Sequence, residues 1–273
     1  MLEEIRATGY ARVRLTSLEA DRLARLYAEA SHFFAAGPEH NVRHSNARLT
    51  NGYRPPYAAH NNGDPINESD VNDSFLYWNP EHARKIPHHT ELTGFLHALE
   101  EYRGGPARRV MAELLDDLAR HYRYPHDLPF EEASVLQINS FAEPGPRELL
   151  QTPHEDGVLA TVIWTSAPGL EAVDGDATTP LRTGPDEVLV MPGGILTAMT
   201  GGEIRPLIHQ ARNHGLETSL NRKSVMYFSC PDIDKGVIEP YVVDESKRDL
   251  DIRDVIRSAT DAFGLAVDFV GDH

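Results

Sequence analysis

Between Ala133 and Val243 the chain is cut into short apolar, β-branched runs, each closed by glycine or proline. Val135–Phe141, Val158–Trp164, Gly169–Val173, Glu187–Met191 and Ser224–Phe228 are the clearest. Pro144-Gly145-Pro146 and Pro192-Gly193-Gly194 stand among the breaks. Many short strands with such punctuation predict a sandwich or barrel, not a helical bundle.

The residues before about 130 read differently, as a mainly helical part. Leu18, Leu23, Leu26, Ala30, Phe33 and Phe34 recur at helical spacing after Thr16 and Ser17, two candidate caps. Thr90–Glu101 and Pro106–Tyr122 give two further helices; Val110, Met111, Leu114, Leu115 and Leu118 share one face of the second, and Pro106 suits its first turn. Arg43–Asp73 is polar and rich in Asn, Gly and Pro, and reads as a long loop that shapes a binding site. Helical periodicity returns at Leu250–Phe263. The expectation is one domain over 1–273: a helical part (1–130), a β core (131–243) and a C-terminal helix (244–273). The 273 residues suffice for one substantial core, and 40% apolar with 25% charged residues is an ordinary globular balance.

Composition narrows the function. Cys230 is the only cysteine, so neither an intrachain disulfide nor a thiolate zinc cluster can form, which fits a reducing cytoplasm. It follows an apolar run and reads as a core or strand-end residue. A formal net charge of −16 argues against nucleic acid as a partner and leans toward a cationic small-molecule substrate. No apolar run approaches the ~20 residues of a bilayer span, and the N-terminus lacks the pattern of a secretory signal. No membrane partner is expected.

The sharpest chemical signal is Pro153-His154-Glu155-Asp156-Gly157. In an extended segment residues i and i+2 point to one side, so His154 and Asp156 can reach one ion while Glu155 turns away. An imidazole with a carboxylate suits Fe(II) better than structural zinc. His209 lies after several predicted strands and can supply a third ligand. His214, in a turn-like Asn213-His214-Gly215, is a weaker candidate, and His88-His89 reads as surface. Arg222 and Ser224, again i and i+2, can together hold a carboxylate, with Lys223 facing the other way.

His-x-Asp, then His, then Arg-x-Ser resembles the isopenicillin N synthase-like family of Fe(II)/2-oxoglutarate-dependent dioxygenases. Leu136-Gln137-Ile138-Asn139-Ser140-Phe141 is similar to that family's Leu-Arg-x-Asn-x-Tyr segment, and Pro185–Thr200 to its run leading to the distal histidine. The resemblance implies a mainly β fold with flanking helices, a double-stranded β-helix or jelly roll. It implies iron held by His154, Asp156 and His209, and 2-oxoglutarate whose distal carboxylate meets Arg222 and Ser224. With O2 the keto acid would yield succinate while a small polar metabolite is hydroxylated, desaturated or cyclised. An amine-bearing natural-product intermediate or an amino acid is the expected substrate class. A carboxylate at Asp156 points away from halogenation.

Three positions depart from the family pattern. Phe141 lacks the hydroxyl of the family's tyrosine, so Gln137 or Asn139, on the same strand face, is expected to supply a polar contact to the keto acid. Gln210 replaces an arginine, and Gly193-Gly194 replaces Gly-Asp. Two alternatives stand beside the oxygenase reading: a keto-acid-independent iron oxidase of the same fold, and a non-catalytic jelly-roll binding protein. A hydrolase is not expected, since neither Gly-x-Ser-x-Gly nor His-Glu-x-x-His occurs.

Overall fold

The computed structural model describes residues 1–47, 50–56, 72–141, 148–213, 221–232 and 238–242. The expected C-terminal helix and His214 lie outside them. The described elements are α1 (Leu2–Thr8), β1 (Ala11–Arg14), α2 (Ser17–Ala35), α3 (Pro38–Asn41), β2 (Gly52–Arg54), β3 (Asp73–Tyr77), α4 (Pro80–Ala83), α5 (Thr93–Tyr102) and α6 (Arg108–Tyr122). They continue with β4 (Val135–Phe141), β5 (Leu149–His154), β6 (Ala160–Thr165), β7 (Leu170–Asp174), β8 (Ala177–Pro180), β9 (Glu187–Pro192), α7 (Gly194–Met199), β10 (His209–Arg212) and β11 (Arg222–Ser229).

α2 starts where its chemistry says it should. The Thr16 hydroxyl accepts from the Glu19 amide, and the Glu19 carboxylate accepts from the Thr16 amide, a reciprocal cap. The helix buries Leu23, Leu26, Ala30, Phe33 and Phe34. Leu18, expected on that stripe, is 62% exposed: it sits in the first turn, off the apolar face. α6 buries Val110, Met111, Leu114 and Leu118. Pro106 is not in the first turn of α6. It lies in a π-helical turn, Arg103–Ala107, that joins α5 to α6. A wider turn of this kind tolerates the absence of an amide hydrogen at proline.

The strands form two antiparallel sheets. The larger has the order β1-β9-β6-β11-β4-β3-β2 and the smaller β5-β10-β7-β8. One face of the large sheet, with Phe75, Ile138, Val162, Val190, Val225 and Tyr227, joins the helices in one core. The opposite face, with Leu76, Val135, Ile163, Met191, Met226 and Phe228, joins Leu170 and Leu207 in a second core. Every residue of β4 and β11 is buried. Burial on both faces explains why these strands read as near-continuous apolar runs without strict alternation.

Three strands come from the part expected to be mainly helical. β1 pairs with β9, and β2 and β3 extend the large sheet beyond β4. β2 and the start of β3 fall within Arg43–Asp73, which the sequence presents as loop. β5, β8 and β10 also lack a strand signature in the sequence. They are short and polar, β5 contains Pro153, and β8 is exposed throughout.

His44 is buried beside β2, with Nδ1 3.1 Å from the Pro87 carbonyl and Nε2 accepting from Arg43 at 3.3 Å. Burial first, then the charges of Arg43, His40 and His88, hold its pKa below the ordinary value. The folded state therefore prefers neutral His44. Its contribution to stability is complete above an unfolded pKa of about 6.5 and is lost as pH falls toward the lower folded value. Urea unfolding of wild type and His44→Gln at pH 8 and pH 5.5 tests this. The wild type is expected to lose more stability on acidification than the variant, and equal losses would contradict it.

Candidate metal centre

β5 ends at His154, and β10 begins at His209; the two residues are direct partners across the small sheet. Their rings lie 4.4 Å apart. Asp156 is not on the strand with His154. It sits two residues past the end of β5, in the turn toward β6, and is buried. Glu155 between them is exposed, turned away as expected.

The turn is stitched to the segment after β9. The Gly193 amide donates to the Leu159 carbonyl at 3.1 Å, Gly194 to Asp156 at 2.9 Å, and Ile195 to Val158 at 3.2 Å. The approach is too close for any side chain. A Cβ at Gly193 would stand 2.1 Å from the Val158 oxygen and 2.5 Å from the Asp156 oxygen. This accounts for glycine at Gly193, whose amide and Gly194's both brace the turn.

Asp156 Oδ1 lies 3.9 Å from Nε2 of His154 and 3.8 Å from Nε2 of His209. These are not hydrogen bonds. One ligand atom from each of the three residues falls within 4.8 Å of the others, a group that can hold a metal ion. Both imidazoles face the centre through Nε2, because Nδ1 is engaged elsewhere. Nδ1 of His154 is 2.7 Å from the Thr152 carbonyl, and Nδ1 of His209 is 3.1 Å from that of Leu207. A carbonyl partner requires a proton on Nδ1, which leaves the Nε2 lone pair for a ligand bond. Burial, partly offset by Asp156, holds His209 below the usual histidine pKa, and the neutral form is the one that ligates.

The second cluster lies on β11 and β4. Arg222 is 1% exposed and, among the described residues, has no carboxylate partner. Its Nη1 donates to Ser224 Oγ at 3.0 Å, and its buried Nε has no hydrogen-bond partner among the described residues. Burial alone pulls its pKa down to about 10. The guanidinium carbon lies 5.2 Å from the centre of the Phe141 ring, its direct partner on β4. Gly169, at φ +134°, leaves room on the other side; a Cβ there would stand 3.3 Å from Arg222 Nε and 2.7 Å from the Arg212 carbonyl.

Asn139 pairs directly with Ser224, and Gln137 follows two residues away on the same face. Gln137 Nε2 donates to Asn139 Oδ1 at 2.7 Å, which fixes the Asn139 amide with its oxygen toward Gln137 and its NH2 away from it. Lys223 does face the other way, with its ammonium 5.9 Å from the Tyr27 ring. Gln210, next to His209 on β10, donates to Glu171 at 2.8 Å. Trp164 packs edge-on against Tyr27, away from the cluster. Cys230 is buried, its thiol pushed up to about 12 by desolvation and by Asp232. Tyr53 is buried and donates to Asp73 at 2.8 Å, and Arg54 reaches Ser74.

Three contributors leave no signal in the sequence. Thr161 donates to Asp156 Oδ2 at 2.5 Å. The Gly193 and Gly194 amides brace the Asp156 turn, and Phe141 places its ring face under Arg222. The first depends on the course of the turn between β5 and β6, and the second on the segment after β9 packing against that turn; no local spacing encodes either. The third is visible only once Phe141 and Arg222 are known to be cross-strand partners.

No protein-family model matches the chain, and no curated protein matches it in sequence. Solved structures do resemble it. A full-length Neurospora crassa protein in complex with alpha-KG superposes with a TM-score of 0.74 at 16% identity, over 96% of this chain and 89% of that one. A 2OG-Fe(II) oxygenase family protein from Caulobacter crescentus gives 0.70 at 17% identity, over 89% and 85%. The dioxygenase for auxin oxidation 1 from Arabidopsis thaliana, in its 2-oxoglutarate complex, gives 0.66 at 17%, over 89% and 93%. The fold is thus the mainly β jelly roll with flanking helices that these structures share, as the sequence leads one to expect.

Gly193→Ala is expected to displace the Asp156 turn and weaken Fe(II) binding by roughly tenfold or more, while far-ultraviolet circular dichroism stays near wild type. Anaerobic metal titration checks this, and unchanged affinity would contradict the role given to this close approach.

Proposed function

We propose that the chain is an Fe(II)- and 2-oxoglutarate-dependent oxygenase acting on a small polar metabolite, of the isopenicillin N synthase-like branch. The observation that carries the reading is Arg222. A buried guanidinium without an acid is unfavourable, and its nearest chemical complement is the carboxylate of a bound ligand. Ser224 adds a hydroxyl at the same point. In this reading the His154, Asp156 and His209 group would take one end of a bound keto acid, through a metal, and Arg222 and Ser224 the other.

The donor set fits iron: two imidazoles and one carboxylate leave positions open for other ligands. Iron bound there would activate O2, the oxidant, with 2-oxoglutarate as co-substrate, chemistry that oxidises a substrate C–H bond and yields succinate and CO2. The chain's own residues do the rest. His154 and His209 are oriented by their Nδ1 bonds, and Asp156 is held by Thr161 and the Gly194 amide. Arg222 and Ser224 hold the distal carboxylate by charge-assisted hydrogen bonds. Asn139, its amide set by Gln137, offers N–H groups beside Ser224. Phe141 cannot donate, but its ring face supports the guanidinium. That contact weakens the case for a keto-acid-independent oxidase, which rests on the missing hydroxyl.

The net charge of −16 supports an amine-bearing substrate, a natural-product intermediate or an amino acid, through steering. The lone buried Cys230 supports a reducing, cytoplasmic setting. No described helix is long and apolar enough to cross a membrane.

Arg222→Met separates a ligand-binding role from a structural one. Removing an unpaired buried charge is expected to leave the apoprotein's melting temperature unchanged or raised. The 2-oxoglutarate concentration needed for iron-dependent O2 consumption should rise about 10- to 100-fold, as expected for the loss of hydrogen bonds to a charged group. A destabilised variant with an unchanged keto-acid requirement would overturn the assignment. His154→Ala should abolish the same O2 consumption, and full activity would remove it from the ligand set.

A further inference from the structure

Thr161, the second residue of β6, is fully buried, and its hydroxyl donates to Asp156 Oδ2 at 2.5 Å. Its cross-strand partners are Met191 and Phe228, both apolar. Threonine's branched Cβ restricts its rotamers, so the hydroxyl is held toward the carboxylate. The distance is in the short range of a charge-assisted O–H···O⁻ bond. The other oxygen, Oδ1, is the one that stands 3.9 Å and 3.8 Å from the two imidazole Nε2 atoms. The two oxygens of Asp156 therefore have separate tasks.

We propose that Thr161 is a positioning residue that makes Asp156 a one-oxygen metal ligand, by occupying Oδ2 and aiming Oδ1 at the histidines. The inference rests on the metal-dependent reading above. An ion held by three protein atoms would keep positions open for a keto acid and O2. A carboxylate free to rotate can attach through both oxygens and take one of them. Thr161 prevents this by fixing the rotation of the carboxylate. Its hydroxyl also satisfies the oxygen that does not face the metal, which would otherwise be buried without a donor.

The test compares Thr161→Val, nearly the same shape without the hydroxyl, with Thr161→Ser, which keeps it. Each purified full-length protein is titrated anaerobically with Fe(II), then at saturating Fe(II) with 2-oxoglutarate. Melting temperature and near-ultraviolet circular dichroism are recorded for each. Thr161→Val is expected to bind Fe(II) roughly 10- to 100-fold more weakly and, once loaded, to bind 2-oxoglutarate more weakly than wild type. Thr161→Ser should stay within about threefold of wild type in both. Should the valine variant not fold, Thr161→Ala removes the same hydroxyl with less bulk and carries the comparison. Wild-type affinity for both ligands in the hydroxyl-less variant would overturn the inference while leaving the metal site standing. A wild-type protein that binds no Fe(II) would overturn both. Equal losses in the serine and valine variants would make Thr161 a packing residue and likewise overturn it.

Discussion

A positive charge sealed inside a β-sandwich needs a reason, because desolvation of an unpaired guanidinium opposes folding. Arg222 has Ser224 and the Phe141 ring for company, and no acid among the described residues. The surroundings accept that burden instead of relieving it. Gly169 gives up a side chain so that Arg222 and the Arg212 carbonyl can pack closely. β11, which carries Arg222, is the central strand of the large sheet and is buried along its whole length. A charge held so rigidly is pre-organised for an anion, and little ordering remains to be done when one binds.

The candidate metal centre solves a different problem, that of holding three ligands from separate pieces of chain. His154 and His209 meet because β5 and β10 are paired in register, and this pairing comes from the small sheet. Asp156 is off the strand, so backbone bonds from the segment after β9 and a hydroxyl from β6 fix it. The large sheet thus positions the carboxylate and the small sheet positions the imidazoles. The fold's two layers are joined at the site, and each histidine's remaining nitrogen is engaged by a carbonyl two residues away. Such outer contacts set the direction of the ligand bonds as much as the ligands themselves do.

Much of this is legible in the sequence, for identifiable reasons. Strands buried on both faces, such as β4 and β11, carry enough apolar residues to declare themselves, and α2 declares itself by its cap and its stripe. His154, Asp156, Arg222 and Ser224 are legible because i, i+2 spacing has a direct geometric meaning. For the first pair that meaning is only half right: His154 ends a strand, while Asp156 reaches the centre from the following turn. β2, β3, β5 and β10 are not legible, since short strands stabilised by tertiary pairing leave little local signal. Thr161 and the Gly193 close approach are likewise not legible: the Thr161 hydroxyl meets Asp156 only through the turn between β5 and β6, and Gly193 meets Asp156 and Val158 across segments distant in sequence. Gly193 is needed for the close approach to the Asp156 turn, and Gly194 braces that turn through its backbone amide.

The central claim is that iron and 2-oxoglutarate bind at one site made by both clusters. The most direct measurement is an anaerobic titration of apoprotein with Fe(II) and then 2-oxoglutarate, followed by visible absorption. A charge-transfer band of an iron–keto acid chelate that appears only when both are present, and is absent in Asp156→Ala, is the predicted result. Fe(II) binding without any band on addition of 2-oxoglutarate would contradict the claim and separate the metal centre from Arg222.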